Sequence, residues 1–211
     1  MKKILIYGDS NVWGDNFFTG IRIPDEKQWP NILQNKLGDN YKIFQEGLPG
    51  RLAGDDEVEK KYKNGKSTFI STFRTIAPVD VVIVALGTND LQHKYNKNAD
   101  KIVDDLVWYK NVLEEQYADE DDKVKYFVDK KMPDIIYILP PCFDYMDGAK
   151  GIFDENSEKE RKLIGEIFKD KCNCKHLVLN QLSLVDDGIH LSYDGHQEMA
   201  NLVERFILEN E

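Results

Sequence analysis

Cysteine is scarce in this chain: Cys142, Cys172 and Cys174 are the only three among 211 residues. An odd count with one close pair does not make a disulfide framework. Cys172-Asn173-Cys174 is too tight for a usual zinc knuckle, and no second ligand pair follows it. Reduced thiols and no bound metal are therefore expected, as in a cytoplasmic protein. Long apolar runs are also absent. Nothing approaches the ~20 residues of a membrane span. Ile4-Leu5-Ile6-Tyr7 is too short for the apolar region of a secretory signal and ends in Gly8-Asp9. Basic charge is in deficit, with 28 Lys and Arg against 38 Asp and Glu, a net charge of −10. Such a surface repels phosphate backbones and anionic membranes, so nucleic acid is not expected as a partner. No internal repeat and no Pro/Gly-rich linker is visible. The first glycine block, Gly8-Asp9-Ser10-Asn11-Val12-Trp13-Gly14, lacks the lysine and glycine spacing of a phosphate loop. It also lacks Gly-x-Gly-x-x-Gly, which argues against a nucleotide or flavin binder.

What is present describes an α/β protein. The length suits one domain over residues 1–211, at roughly 150 residues per domain. Five short apolar runs, residues 3–7, 41–45, 79–86, 134–139 and 176–179, lack polar alternation and fit strands covered on both faces. Between them, residues 26–37, 67–76, 99–117, 157–168 and 192–208 carry apolar side chains at three- and four-residue steps, the mark of helices. Ser157 with Glu160 reads as a capping box. The charge-dense stretch 119–131 reads as a solvated helix extension or loop. Strands alternating with helices predict a parallel sheet.

In such sheets, ligands bind beyond the carboxyl ends of the strands, so the residues just after each run matter most. Gly8-Asp9-Ser10-Asn11 follows the first run; Ser10 is either an exposed nucleophile or, like Asp9, a helix cap. Glu46-Gly47-Leu48-Pro49-Gly50-Arg51 follows the second; Gly50 has an amide to donate, or is part of a plain Pro-Gly turn. Gly87-Thr88-Asn89-Asp90 follows the third; the Asn89 amide suits a developing negative charge, and equally an Asx turn. Near the C-terminus Asp187 and His190, three apart, can face the same way, which lets a carboxylate orient an imidazole; a surface pair is the alternative.

Gly8-Asp9-Ser10, the glycine block after the second run, Gly87-Thr88-Asn89-Asp90 and Asp187-x-x-His190 resemble, in order, the four blocks of the SGNH (GDSL-type) hydrolases. The likeness spans residues 4 to about 207. Gly8-Asp9-Ser10-x-x-Trp13-Gly14, Glu46-Gly47-Leu48-x-x-Arg51 and Leu86-Gly87-Thr88-Asn89-Asp90 look closest to the arylesterase-like branch. Asn11 departs from the leucine that many members carry. The resemblance implies a flavodoxin-like α/β/α sandwich around a five-stranded parallel sheet. It implies Ser10 as nucleophile, His190 as base and Asp187 as its orienter. The oxyanion hole would be the Ser10 and Gly50 amides with the Asn89 side chain; Gly50 is preferred to Gly47 because that branch places its donor there.

The activity so implied is hydrolysis of short carboxylic esters, such as acetylated carbohydrate or small aryl or alkyl esters, without metal or cofactor. Lipase- or thioesterase-like action on longer chains, and a non-catalytic binding module on the same fold, are the alternatives. Candidate substrate contacts are Asp9, Asn11, Trp13, Arg51, Phe143 and Ile189. Phe17, Phe18, Tyr145, Met146, Ile152 and Phe153 are aromatic or apolar loop residues that suit either a pocket or a contact between copies of the chain. Arg51 is expected to pair with Asp55 or Asp56, or to bind a substrate carboxylate or sugar. His93 is a possible pocket residue, while His176 and His196 are expected to be structural.

Overall fold

The structure, a computed structural model, describes residues 1–54, 60–179 and 181–210. Its centre is β1 (Lys2–Gly8), where Ile4 to Tyr7 are wholly buried. β1 lies between β2 (Tyr41–Gly47) and β3 (Val81–Ala85), and β4 (Asp134–Ile138) and β5 (Lys175–Leu177) extend the sheet in the order β2-β1-β3-β4-β5, all parallel. Chain order reverses between β1 and β3, which opens a crevice at the carboxyl end there.

Alternation along the strands divides the core into two layers. Leu5, Tyr7, Val82, Val84 and Tyr137 point to one face, with Phe69 and Phe73 of α3 (Gly65–Ile76), Ile102, Leu106 and Tyr109 of α4 (Ala99–Ala118), and Ile164 and Phe168 of α6 (Glu155–Lys171). Ile4, Ile6, Ile83, Ile136 and Ile138 point to the other, with Trp29 and Leu33 of α2 (Trp29–Leu37) and Met199, Val203 and Ile207 of α7 (Tyr193–Glu209). Strands with neighbours on both faces have no polar side, which is why their runs read as unbroken apolar stretches.

The expected strands and helices are present with ends moved by a few residues. Glu26 falls outside α2: residues 25–27 form a 3-10 turn, and α2 starts at Trp29 with Pro30 in its first turn, where a missing N–H costs nothing. Residues 119–131 are largely ordered as α5 (Glu120–Tyr126), whose N-cap Asp119 accepts from Asp122 N, and a 3-10 turn. The capping box is misassigned by the sequence. Asp154 is the N-cap of α6 and exchanges bonds with Ser157, Oδ1 accepting from Ser157 N at 2.8 Å and Ser157 Oγ from Asp154 N at 3.2 Å. Glu160 instead accepts from Ala99 N at 2.7 Å, fastening α6 to the start of α4. The expectation of three reduced thiols is also corrected. α6 ends at Lys171, and the extended turn into β5 brings Cys172 and Cys174 together as a disulfide, Cα atoms 5.2 Å apart; Cys142 is free.

Candidate active site

Three small residues end the central strands at one level: Gly8 pairs with Gly47 on one side and Ala85 on the other. α1 (Ser10–Trp13) lies directly across them. A Cβ on Gly47 would run into the backbone of Val12 and Trp13, so close approach is what requires glycine there. Asp9 caps α1, its Oδ1 accepting from Asn11 N at 3.0 Å, and Gly14 closes the turn at φ 85. This places Ser10 at the first helical position, directly beyond the carboxyl end of β1. Burial raises the Asp9 carboxyl to about 6, against the Asn11 amide, His190 and Arg51, which favour its charge.

The loop before α7 meets Ser10 here. Asp187 Oδ1 accepts from Ile189 N and His190 N, both at 2.9 Å, which folds the loop back on its own carboxylate. Asp187 Oδ2 stands 2.5 Å from His190 Nδ1, and His190 Nε2 stands 2.9 Å from Ser10 Oγ. The two ring nitrogens thus face different partners, a carboxylate and a hydroxyl. Burial alone would lower the His190 pKa, but the Asp187 bond and charge, with Asp15 and Asp9, raise it above its ordinary value. Asp187 is held below the usual carboxylate range: burial opposes this, and the His190 ring and the two backbone amides outweigh burial.

Asn11 braces the same loop from α1. Its Oδ1 accepts from Leu191 N at 2.9 Å and its Nδ2 donates to Ile189 O at 3.3 Å. The residues on either side of His190 are therefore pinned to the residue after Ser10. A leucine at position 11 has no polar atoms with which to do this. Asp15, just past the glycine block, places Oδ2 3.9 Å from His190 Nε2.

On the β2 and β3 side, Arg51 N donates to Leu48 O at 3.1 Å, closing a turn with Pro49 and Gly50 at its centre. Gly50 has φ 75, the left-handed value that the third residue of such a turn requires. Asn89 Nδ2 donates to Arg51 O at 3.1 Å, and Asn89 Oδ1 accepts from Gln92 Nε2 at 2.9 Å. The amide has two N–H groups, so the bond to Arg51 O leaves the other for a ligand. Asp90, fully buried, accepts from Ala53 N at 2.7 Å, Gly54 N at 3.3 Å and Lys97 Nζ at 2.7 Å. Lys97 also reaches Asp105, which takes Lys66 and Lys101 as well. This buried ion cluster locks the Gly50 and Asn89 loops together.

Ser10, Asp187, His190, Asn11 and Ile189 thus come together, and the Asn89 and Gly50 loops are joined beside them. The remaining expected contacts are placed differently. Asp9 is buried as a cap. The Arg51 guanidinium is buried 4.0 Å over the Tyr7 ring, and its Nη1 donates to Gly8 O and Glu46 O, so it covers strand-end carbonyls. Its expected partners Asp55 and Asp56 lie outside the described residues. Phe143 is buried and stacks on Phe153 at 4.2 Å between centroids, a packing contact. Trp13 is half-buried beneath the Arg22 guanidinium. Phe17, Phe18, Met146 and Ile152 are exposed. His93 Nδ1 lies 2.9 Å from Ile152 O. His176 packs on Phe168. His196 is buried, accepts from Trp29 N, and is lowered to about 4 by burial and the His190 charge. Sequence reasoning missed Asp15, the Lys97 cluster and the bracing role of Asn11. Among the described residues, no group of three or more His, Cys, Asp or Glu is arranged to hold a metal, and no helix is long and apolar enough to cross a membrane.

Residues 4–203 match the family model of GDSL-like lipase/acylhydrolases. Solved structures share the fold at low identity. A carbohydrate acetylesterase family member from Sinorhizobium meliloti superposes with a TM-score of 0.83 at 23% identity, covering 99% of this chain and 98% of that one. The aryl esterase of M. smegmatis gives 0.82 at 20%, covering 99% of both. A lipase/acylhydrolase from Enterococcus faecalis gives 0.66 at 18%, covering 100% and 97%. No curated protein matches the sequence.

Proposed function

The chain belongs to the GDSL-like lipase/acylhydrolase family, an enzyme of the serine-hydrolase type, and from that premise we propose that it hydrolyses short-chain carboxylic esters through an acyl-enzyme on Ser10. The observation that carries this reading is the unbroken line from Asp187 Oδ2 through both His190 nitrogens to Ser10 Oγ. Ser10 Oγ attacks the ester carbonyl as His190 Nε2 takes its proton. Asp187 stays ionised and stabilises the imidazolium. The tetrahedral oxyanion is held by the Ser10 and Gly50 amides and Asn89 Nδ2. Collapse breaks the ester C–O bond, and His190 gives its proton to the leaving alcohol. Water, deprotonated by His190, then attacks the acyl carbon, and the acid leaves as Ser10 recovers the proton.

Acetyl esters of carbohydrates and small aryl or alkyl esters are the proposed substrates, in keeping with the aryl esterase and carbohydrate acetylesterase likenesses. The test is hydrolysis of p-nitrophenyl acetate at pH 7.5 by wild type and Ser10→Ala. The expected result is a loss of at least ~10³-fold in the variant with its fold intact. Equal rates would remove Ser10 as nucleophile. A preference for acyl chains of eight carbons or more would replace the short-ester reading with a lipase-like one.

A further inference from the structure

We propose that Asp15 sorts substrates by the charge of the leaving alcohol, favouring cationic alcohols and rejecting those that carry a carboxylate or phosphate. This rests on the esterase reading and deepens it. His190 Nε2 must reach the leaving oxygen in order to protonate it, so any group close to Nε2 stands beside the departing alcohol. Ser10 Oγ is 2.9 Å from that nitrogen, and Asp15 Oδ2 is 3.9 Å from it. Asp15 is therefore a second carboxylate beside the imidazole, and it lies on the side of the reacting nitrogen.

The other charges nearby do not share that position. Asp187 is turned to Nδ1 and two backbone amides. Asp9 is buried as the cap of α1, its carboxylate turned to the Asn11 amide. The Arg51 guanidinium, also buried, lies over the Tyr7 ring. Arg22, bridged to Asp15 through the backbone, points its Nε at Trp13 O and lies over the Trp13 ring, and no ion pair joins it to Asp15 among the described residues. Lys63 lies against the other loop: a Cβ built on Gly50 would fall 2.6 Å from its Nζ. Positive charge thus borders the Gly50 turn, while negative charge borders His190 Nε2.

Asp15 is also reachable. Its side chain keeps 20% of its accessible surface, against 4% for Asp187. A carboxylate is an acceptor only, so it attracts an ammonium on the alcohol and repels an anion. At ~6 Å in a partly solvated cleft, the interaction is worth about tenfold in rate per unit of substrate charge.

The experiment compares three acetates of fixed charge: phenyl acetate, 3-(trimethylammonio)phenyl acetate and 3-carboxyphenyl acetate. kcat/KM is measured for wild type, Asp15→Asn and Asp15→Ser at pH 8. The expected result is that both variants reduce the cation-to-anion ratio by tenfold or more; the ratio is taken within each variant, so any change in its rate on phenyl acetate divides out. The acid limb of the pH profile should also move down, because one carboxylate beside the imidazolium is gone. An unchanged ratio in active variants overturns this proposal alone. Failure of wild type to hydrolyse any of the three would remove the esterase reading instead, and this one with it.

Discussion

Two buried ionisable assemblies hang from the same rim, one joining Asp187, His190 and Ser10 and the other joining Asp90, Lys97 and Asp105. Both combine carboxylates with a basic group at hydrogen-bond distance. In the second, the one lysine joins two carboxylates whose other oxygens meet amides or further lysines. Every charge there is answered, so nothing is left to react. The first ends on the Ser10 hydroxyl, a neutral group with a proton to lose. On the proposed mechanism, open termination, more than burial or shifted pKa, is what separates a reactive array from a structural one.

The largest effect that sharpens this comparison is on stability. Lys97→Met leaves Asp90 buried without its counter-ion. Breaking one partner of a buried pair costs about 3–5 kcal/mol. Asp90 is already raised by burial, and the Lys97 charge and hydrogen bond oppose that rise. Urea unfolding should show this loss, while turnover per folded molecule stays within a few-fold of wild type. A variant with normal stability and lost turnover would place Lys97 in the chemistry and erase the distinction.

Next in size is Asn89→Ala. Asn89 belongs to both neighbourhoods: it precedes Asp90 in the closed cluster, and its amide joins the Gly50 turn beside the reactive chain. In the proposed mechanism Asn89 is an oxyanion donor, and loss of one such donor costs about 10²–10³ in kcat. That loss is expected with KM and melting temperature close to wild type. A variant whose main defect is thermal would make Asn89 a brace for the turn.

The two assemblies also differ in how legible they are. The strands were readable because burial on both faces removes polar alternation, and the helices because one buried stripe repeats at three and four residues. Ser10, Asn89, Asp187 and His190 fall in short blocks directly after strands or at a fixed three-residue step, so local sequence exposes them as candidates. Asp90, Lys97 and Asp105 are spaced by seven and eight residues along a loop and a helix. Only the packing of α4 against the rim brings them together, and a charged residue on a helix ordinarily faces water. Asn11 was read as a substrate contact because nothing local reveals a partner 178 residues away. Arg51 was read as a partner of Asp55 or Asp56, or as a substrate contact, because sequence does not show that strand-end carbonyls need a donor. The Cys172–Cys174 bond depends on the turn between α6 and β5, which composition does not encode.

The smallest effect is the pH dependence of the reactive chain. On the proposed mechanism His190 must be neutral to accept the Ser10 proton, so activity is expected to be lost in acid and to rise as the imidazolium gives up its proton. The Asp187 bond and the three carboxylate charges outweigh burial and raise His190 above 6.5, which places the midpoint of kcat/KM above that value. Asp187→Asn removes the largest raising influence and leaves burial dominant, so the midpoint falls, together with a large loss of rate from the misoriented ring. Asp15→Asn shifts it the same way by less. The stability sign is opposite to the activity sign. A raised histidine pKa means that the folded state holds the proton more tightly than the unfolded chain, so this contribution is complete below 6.5 and is lost as pH rises through the native value. The difference in unfolding free energy between wild type and His190→Gln should therefore shrink over the same interval in which activity appears. Parallel rather than opposed trends would mean that the imidazolium is not the species held by Asp187.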